Sequence, residues 1–290
     1  MKQFSLNLRG RLSQIDRPQV MGILNVTPDS FFAGSRTPLN ESDAIRRRAA
    51  ELIARGADMI DVGGYSTRPG AAQVPESEEI RRVEAGVRAV RELSADIPVS
   101  VDTFRAAVAK EAVRNFGADI VNDVSGGALD DAMFDTVADL GVPYVLMHMR
   151  GTPADMTTLT AYPEGVVAGV AAELSGKLRE LSLRGVSDVI VDPGFGFAKT
   201  VAQNYELMAG LPELERLLER PLLVGVSRKS MVYKPLGITP AESLPGTTVL
   251  NTLALDRGAA ILRVHDVAEA VQAVEVWRMF DNPVETLGNQ

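Results

Sequence analysis

Hydrophobic residues along this chain alternate between short unbroken runs and helical spacing, and one arrangement recurs. A helical stretch ends at a glycine, and the apolar run that follows stops at a polar residue. The clearest copies are RGADMIDVGG, FGADIVNDVSGG, LGVPYVLMHM, RGVSDVIVDPG and RGAAILRVHD. Glycine is favoured just beyond a helix because it adopts positive φ without strain, so each copy predicts the passage from a helix to a strand.

The segments between the apolar runs have the spacing of amphipathic helices. In EEIRRVEAGVRAVREL the apolar residues that repeat at helical intervals are Ile80, Val83, Val87, Val90 and Leu93. Asn40 is predicted to cap another helix, whose apolar face consists of Ile45, Ala49, Leu52 and Ile53. Unbroken apolar strands that alternate with such helices are typical of a parallel sheet covered by helices.

The number of strands favours a closed barrel. Three further runs, in VMGILNVTPD, IPVSVDTFR and PLLVGVSRKS, lack the leading glycine and bring the predicted strands to eight. We therefore predict an α/β fold, a (β/α)8 TIM barrel, as a single domain over residues 19–290. Residues 1–18 are predicted to be an N-terminal extension, a hairpin that closes the barrel bottom. The alternative is an open doubly wound sheet, which the lack of a G-x-G-x-x-G motif after the first strand disfavours.

Composition narrows the class of protein. The chain has 290 residues, no cysteine and a net charge of −8. A chain without cysteine has no disulfide or thiolate metal site and is typical of a reducing compartment. The acidic balance argues against nucleic-acid and membrane-surface partners, and no apolar run has the length of a bilayer span. These features favour a cytoplasmic enzyme.

Polar residues follow the predicted strands, at the barrel end where TIM-barrel sites lie. They are Asn25, Asp61, Asp102, Asn122, His148, Asp192, Lys229, Arg263 and His265. Asp61 could equally cap a turn, Asn25 could equally form a loop, and His148 is best explained as a hydrogen-bonded structural histidine. Asp102, Asn122, Asp192 and Lys229 are harder to explain structurally, since converging acceptors stay unsatisfied unless a donor-rich ligand meets them. Arg263 and His265 follow the last strand, where barrels often bind phosphate.

In the segment VIVDPGFGFAKT, the glycines predict that the backbone comes close to a ligand at this end of the barrel. Gly194 and Gly196 allow a sharp turn directly after Asp192, and Phe197 offers a flat apolar face to an aromatic ring. The alternative is a plain strand-to-helix turn with a core phenylalanine.

Seven motifs resemble, in order and over nearly the whole chain, those of the dihydropteroate synthase family. They are MGILNVTPDSF (21–31), DVGGYSTRPGA (61–71), SVDTFR (100–105), VNDVSG (121–126), DPGFGFAKT (192–200), GVSRKS (225–230) and RVHD (263–266). Each motif alone is weak, whereas seven in register are specific. The family fold is a TIM barrel.

The resemblance implies condensation of 6-hydroxymethyl-7,8-dihydropterin diphosphate with 4-aminobenzoate to 7,8-dihydropteroate and pyrophosphate, in folate synthesis. It places the pterin on Asp102, Asn122, Asp192 and Lys229. It places the diphosphate on Asn25, Thr67, Arg68, Arg263 and His265, with Asn25 also a ligand of a Mg²⁺ cofactor. It places the aminobenzoate on Thr67, Pro69, Phe197, Lys229 and Ser230, with Phe31 a weaker candidate. The residues it implies in catalysis are Lys229, Arg68, Arg263 and His265. A homodimer through barrel helices is also implied, in which case Val271, Val274 and Trp277 of the last helix could belong to its interface rather than to the core.

This chain departs from the common family motifs in the loops. Tyr65 stands where GGESTRPG has glutamate, Phe195 and Ala198 replace the isoleucine and glycine of DPGIGFGK, and SFFAGS replaces SFSDGG. None of these positions belongs to the implied pterin set. The departures concern the shape of the first two loops and of the aminobenzoate pocket.

Three other functions stay open. A pterin-binding methyltransferase barrel would share the pterin-recognising acids, but it needs a corrinoid partner and no diphosphate site. A Schiff-base aldolase would use Lys229 with a lowered pKa, whereas the neighbouring Arg228 predicts a charged, solvated lysine. A non-catalytic pterin-binding protein would not need Arg68, Asn25 or the pair of Arg263 and His265.

Overall fold

A closed barrel of eight parallel strands forms the body of the chain. The computed structural model describes residues 3–27, 38–66, 73–152, 155–283 and 286. The barrel strands are β3 (Gln19–Asn25), β4 (Met59–Gly63), β5 (Val99–Asp102), β6 (Ile120–Asp123), β7 (Tyr144–Met147), β8 (Val189–Asp192), β9 (Leu222–Val224) and β10 (Ala259–Val264). They pair in chain order, and β10 closes on β3. The predicted TIM barrel is confirmed.

Helices cover the outside of the barrel between successive strands. They are α1 (Pro38–Ala54), α2 (Glu76–Leu93), α3 (Ala106–Glu111), α4 (Met133–Leu140), α5 (Val166–Leu183), α6 (Val201–Ala209), α7 (Leu211–Leu218), α8 (Ser230–Leu236), α9 (Leu244–Asp256) and α10 (Val267–Asp281). A π-helical turn, Ala112–Phe116, extends α3, and 3₁₀ turns occupy Met156–Thr158 and Pro240–Glu242. In the described part of the chain no helix is both long and apolar enough to cross a membrane.

Glycines end the helices where the sequence predicted. Gly56, Gly117, Gly141, Gly185 and Gly258 all have positive φ, between 62° and 92°. On α2, Val83, Val87 and Val90 are fully buried, so the apolar stripe read from the sequence faces the barrel. The predicted cap at Asn40 is wrong, because α1 begins at Pro38 and Asn40 lies inside the helix.

An antiparallel hairpin, β1 (Phe4–Leu8) and β2 (Arg11–Ile15), lies against the amino-terminal end of the barrel. Leu6 and Ile15 are buried in one cluster with side chains from the bottom of the barrel interior. Asp119, at the start of β6, holds the hairpin through Arg9 and also accepts from the Val99 backbone at 2.7 Å. The hairpin therefore seals the end of the barrel opposite the polar strand ends.

The strand register puts a polar layer directly above an apolar one inside the barrel. The apolar layer consists of Met21, Met59, Ile120, Val145, Ile190, Leu223 and Ile261. Side chains two residues apart on a strand share a face. In β4, β6, β8 and β10, the next inward positions are Asp61, Asn122, Asp192 and Arg263. Alternation along the strands thus gathers these four side chains in one layer.

Candidate active site

A guanidinium bridges two carboxylates across the polar layer. Arg263 Nε donates to Asp61 Oδ2 and Arg263 Nη2 to Asp102 Oδ2, each at 2.6 Å. Asn122 Nδ2 donates to the same Asp61 oxygen at 3.1 Å. Asp61 is fully buried, and its Oδ1 has no hydrogen-bond partner. Four residues from four strands thus form one network, with an acceptor left unsatisfied.

Asp192 and Lys229 form the neighbouring wall of the cavity. Asp192 Oδ1 accepts from the Gly194 backbone at 2.8 Å, and Lys229 Nζ donates to the Phe195 carbonyl at 2.8 Å. Both groups border Gly225, since a Cβ there would lie 3.8 Å from Lys229 Nζ and 4.0 Å from Asp192 Oδ2. The same Cβ would lie 3.9 Å from Arg263 Cβ, so Asp192 and Lys229 adjoin the network that holds Asp102 and Asn122.

Burial sets the protonation of this layer. It raises the pKa of Asp102 to about 7, against the attraction of Arg263, and it also raises the pKa of Asp192. It lowers the pKa of Lys229 to about 8, against the attraction of Asp192. Removal from water disfavours the charged form of each group. Lys229 is thus less solvated than the sequence predicted.

The side chain of Arg228 pairs with its own carboxylate and does not lie with that of Lys229. Its guanidinium makes a two-pronged pair with Asp266, through Nε at 2.8 Å and Nη2 at 2.7 Å. Arg228 has a φ of 55°, in the left-handed region that side chains other than glycine rarely adopt. The two consecutive cations thus have different partners, and the groups that favour the charged form of Lys229 are Asp192 and, less strongly, Asp102.

His265 lies at the same end of the barrel, next to the loop after β9. Its Nδ1 is 3.0 Å from Ser227 Oγ, which also accepts from the His265 backbone at 3.2 Å. Arg263 lies two positions before it, within β10, but its side chain pairs with the two aspartates. The two residues assigned to the diphosphate are thus close in the chain and differ in their partners.

Asn25, the predicted metal ligand, faces Asp102 across a glycine. It ends β3 and pairs in register with Gly63 of β4, which pairs in turn with Asp102 of β5. A Cβ at Gly63 would lie 3.5 Å from Asn25 Oδ1 and 3.6 Å from Asp102 Cβ. The described residues include no group of three histidine, aspartate or glutamate ligands. One amide oxygen suits Mg²⁺ that is held mainly by substrate phosphate and water.

The turn after β8 carries the predicted aminobenzoate surface. The Phe197 ring centroid lies 4.9 Å from Lys229 Nζ, and Ser230 begins α8 directly after that lysine. Thr67, Arg68, Pro69 and Phe31, also predicted, lie outside the described residues.

The unusual Tyr65 packs in a cluster with Phe104 and Arg105, which follow β5. Its ring meets Phe104 edge to face at 5.1 Å, and the Arg105 guanidinium lies 5.3 Å from each ring centroid. Arg105 Nη1 donates to the fully buried Glu79 at 2.6 Å. Arg105 thus has its carboxylate partner in Glu79, while position 65 contributes an aromatic ring.

Two roles in this region were missed from the sequence. Asp61 was equally well explained as a turn cap, yet it is the buried partner of Arg263. Lys199 drew no prediction, yet it is 8% exposed and packs under the turn after β8. The position of Asp61, two residues beyond the buried Met59, was the available signal. His148 is a buried, hydrogen-bonded histidine, the explanation favoured from the sequence.

Comparison with known proteins identifies the family. Residues 21–265 match the family model described as pterin binding enzyme. The chain is 40% identical to the dihydropteroate synthase of Escherichia coli (strain K12) over 278 residues, which cover 95% of each chain. It superposes with a TM-score of 0.87 on a Xanthomonas albilineans dihydropteroate synthase solved with 4-aminobenzoic acid, at 40% identity and covering 97% of this chain and 99% of that one. The same enzyme in complex with 7,8-dihydropteroate gives a TM-score of 0.83 at 38% identity, with 96% of this chain and 99% of that one covered. The chain therefore belongs to the pterin-binding enzyme family, among its dihydropteroate synthases.

Proposed function

We propose that the cavity above the apolar layer condenses 6-hydroxymethyl-7,8-dihydropterin diphosphate with 4-aminobenzoate, through the residues assigned below. The observation that carries this assignment is an excess of acceptors. The carboxyl groups of Asp61, Asp102 and Asp192 share the layer with two cations, Arg263 and Lys229. The aminopyrimidinone edge of a pterin supplies N–H donors, which would satisfy this excess.

The pterin is assigned to Asp102, Asn122, Asp192 and Lys229. Asp192 and Asp102 accept from ring and amino N–H groups, Asn122 both donates and accepts, and Lys229 donates to ring acceptors. Three of these residues lie on barrel strands, which hold them rigidly and position the CH₂ group of the substrate.

Leaving-group stabilisation is assigned to Arg68, Arg263 and His265, with Thr67. The C–O bond to the diphosphate breaks as the aminobenzoate nitrogen bonds to the CH₂, and that nitrogen then loses a proton. Positive groups at the leaving oxygen favour the transition state, in which charge develops there. Arg263 contacts the two aspartates through Nε and Nη2, which leaves Nη1 outside these contacts. The same guanidinium could therefore bind the diphosphate while it holds the aspartates at the pterin site.

A Mg²⁺ cofactor is proposed at Asn25. The support is the position of its amide oxygen at the mouth of the barrel, across Gly63 from Asp102. When bound, the ion would neutralise diphosphate charge.

The aminobenzoate is assigned to Phe197, Lys229 and Ser230, with Thr67 and Pro69. Phe197 supplies an aromatic face, and the ammonium of Lys229 suits a carboxylate or an electron-rich ring. A cytoplasmic location, predicted from the cysteine-free composition, stays a prediction.

Pterin affinity is expected to depend on pH in a way that tests these assignments. Asp102 offers two charged acceptor oxygens only when ionised, above about pH 7, and Lys229 is charged only below about pH 8. Affinity should therefore fall by up to about tenfold per pH unit on either side of this window. The measurement is calorimetric titration with 6-hydroxymethyl-7,8-dihydropterin.

Two variants show which residue causes the fall in pterin affinity at each end of the pH range. Asp102→Asn should remove the fall in affinity at low pH. Lys229→Arg should remove the fall at high pH, because a guanidinium stays charged. A profile that both variants leave unchanged would contradict the pterin assignment.

A homodimer is also proposed. Exposed apolar side chains lie along α9 and α10, which pack together: Val249, Leu253, Val276, Met279 and Phe280. Of the two explanations for Val271, Val274 and Trp277, the core one holds, since Val274 and Trp277 are buried between the helices and the barrel and Val271 packs against that cluster. They occupy the inward face of α10, whereas Val276 and Phe280 occupy its outward face.

The double variant Val276→Glu/Phe280→Glu is expected to be monomeric. Two charges facing their symmetry mates across an apolar interface would be desolvated without partners. Sedimentation velocity measures the mass. Leu183→Glu, at an isolated exposed leucine on α5, is the matched control and should stay dimeric. An unchanged mass for the double variant would exclude this face.

A further inference from the structure

Lys199 is a buried lysine that is not among the assigned substrate contacts. It donates hydrogen bonds to the backbone of the turn after β8. Lys199 Nζ lies 3.0 Å from each of three acceptors: the Gly194 carbonyl, the Phe197 carbonyl and His148 Nδ1. An ammonium has three donors, so this geometry satisfies all of them. His148 therefore accepts at Nδ1 and carries its proton on Nε2.

The chain of contacts continues to the surface. His148 Nε2 lies 3.1 Å from Glu173 Oε2, and the other oxygen of Glu173 accepts from Arg150 Nε at 2.9 Å. Burial lowers the pKa of His148 to about 4, and hydrogen bonding from His148 and Arg150 lowers the pKa of Glu173 to about 2. A neutral histidine thus links the buried lysine to a half-exposed, ionised carboxylate.

The fastened turn carries both described contacts of Lys229. The Phe195 carbonyl accepts from Lys229 Nζ at 2.8 Å, and the Phe197 ring lies 4.9 Å from that nitrogen. Lys199 holds the carbonyls of the residues at the two ends of this turn, Gly194 and Phe197. The pterin acceptors Asp102 and Asn122 lie instead on barrel strands and make no hydrogen bond to the turn, whereas Asp192 ends β8 and accepts one hydrogen bond from Gly194.

We propose that Lys199, held by His148 and Glu173, is a positioning residue for the aminobenzoate half-site. It fixes the turn 194–197, which in turn places Phe197 and Lys229 around the second substrate. This inference rests on the proposed function and adds residues that contact neither substrate.

The test compares the Michaelis constants for the two substrates in Lys199→Met. The KM for 4-aminobenzoate should rise by at least about tenfold, since small displacements of positioning groups have large kinetic effects. The KM for the pterin diphosphate should rise less, by no more than about threefold, because Asp102, Asn122 and Arg263 keep their network on the strands while only Lys229 and one bond of Asp192 involve the turn. Glu173→Leu, at a half-exposed position, should show the same split with a smaller rise, and it decides the question alone if Lys199→Met does not fold.

Lys177→Met is the matched control. Lys177 is another partly buried lysine, and it donates to the Ser125 carbonyl at 3.4 Å in the turn after β6. In this variant the KM for 4-aminobenzoate should not rise more than the KM for the pterin diphosphate. Unaltered aminobenzoate KM values in both Lys199→Met and Glu173→Leu would overturn the inference, even if the variants are less stable. An inactive wild-type protein would instead refute the proposed function.

Discussion

Replacing Arg263 with methionine is expected to lower the free energy of unfolding by about 3–5 kcal/mol near pH 8, the usual effect of removing one partner of a buried ion pair. Asp61 is fully buried and would keep only the Asn122 amide as a donor, while Asp102 would lose its 2.6 Å partner. Chemical denaturation measures the change.

The loss should be smaller at pH 5. Burial raises the pKa of Asp102 above that of the unfolded chain, and loss of Arg263 removes the attraction that opposes this rise, so the folded variant binds more protons. The penalty is therefore relieved below that pKa and grows as the pH rises through it. Arg228→Met is the control, because it breaks a partly exposed pair with Asp266 and should lower stability by about 1 kcal/mol. Equal losses for the two variants would contradict the central role of Arg263.

Gly194→Ala is expected to disable the turn after β8 and lower kcat/KM by at least about a hundredfold, or about 2.7 kcal/mol of transition-state stabilisation. Gly194 has a φ of 72°, and a Cβ there would lie 1.9 Å from the carbonyl oxygen of His148. Backbone cannot move aside cheaply, so the turn must shift. The shift would disturb the Gly194 hydrogen bond to Asp192 and the Phe195 carbonyl that holds Lys229.

Gly185→Ala separates this steric effect from the cost of positive φ. Gly185 has a φ of 83°, and a Cβ there would meet nothing within 4 Å. Its substitution should lower stability by about 1–2 kcal/mol while leaving the kinetics of the folded protein unchanged. Steady-state kinetics and thermal denaturation on both variants give the comparison. Activity lost equally in the two would mean that general destabilisation, not the position of the turn, is responsible.

Most of the fold could be predicted because its signals are local. Helix-ending glycines such as Gly117 and unbroken apolar strands such as β8 identify each repeat without knowledge of its neighbours. The cap at Asn40 was misplaced because helix ends carry weaker signals than helix interiors.

The site residues that could be predicted from the sequence are those that end a strand. Asp102 and Asp192 end their strands, and their convergence follows from the barrel itself. The pairing of Asp61 with Arg263 joins residues 202 positions apart, and only the register of the closed sheet shows it. Lys199 was missed for the same reason, since its partners His148 and Gly194 meet only after β7 and β8 pair.

Product formation by the purified protein tests most directly whether this site joins a dihydropterin to 4-aminobenzoate. We predict one 7,8-dihydropteroate for each pyrophosphate released, only when both substrates are present. Turnover should be lost on chelation of divalent ions and restored by Mg²⁺, and Asp192→Ala should abolish it while the protein stays folded. Pyrophosphate release that does not require 4-aminobenzoate, or full activity in Asp192→Ala, would contradict the account.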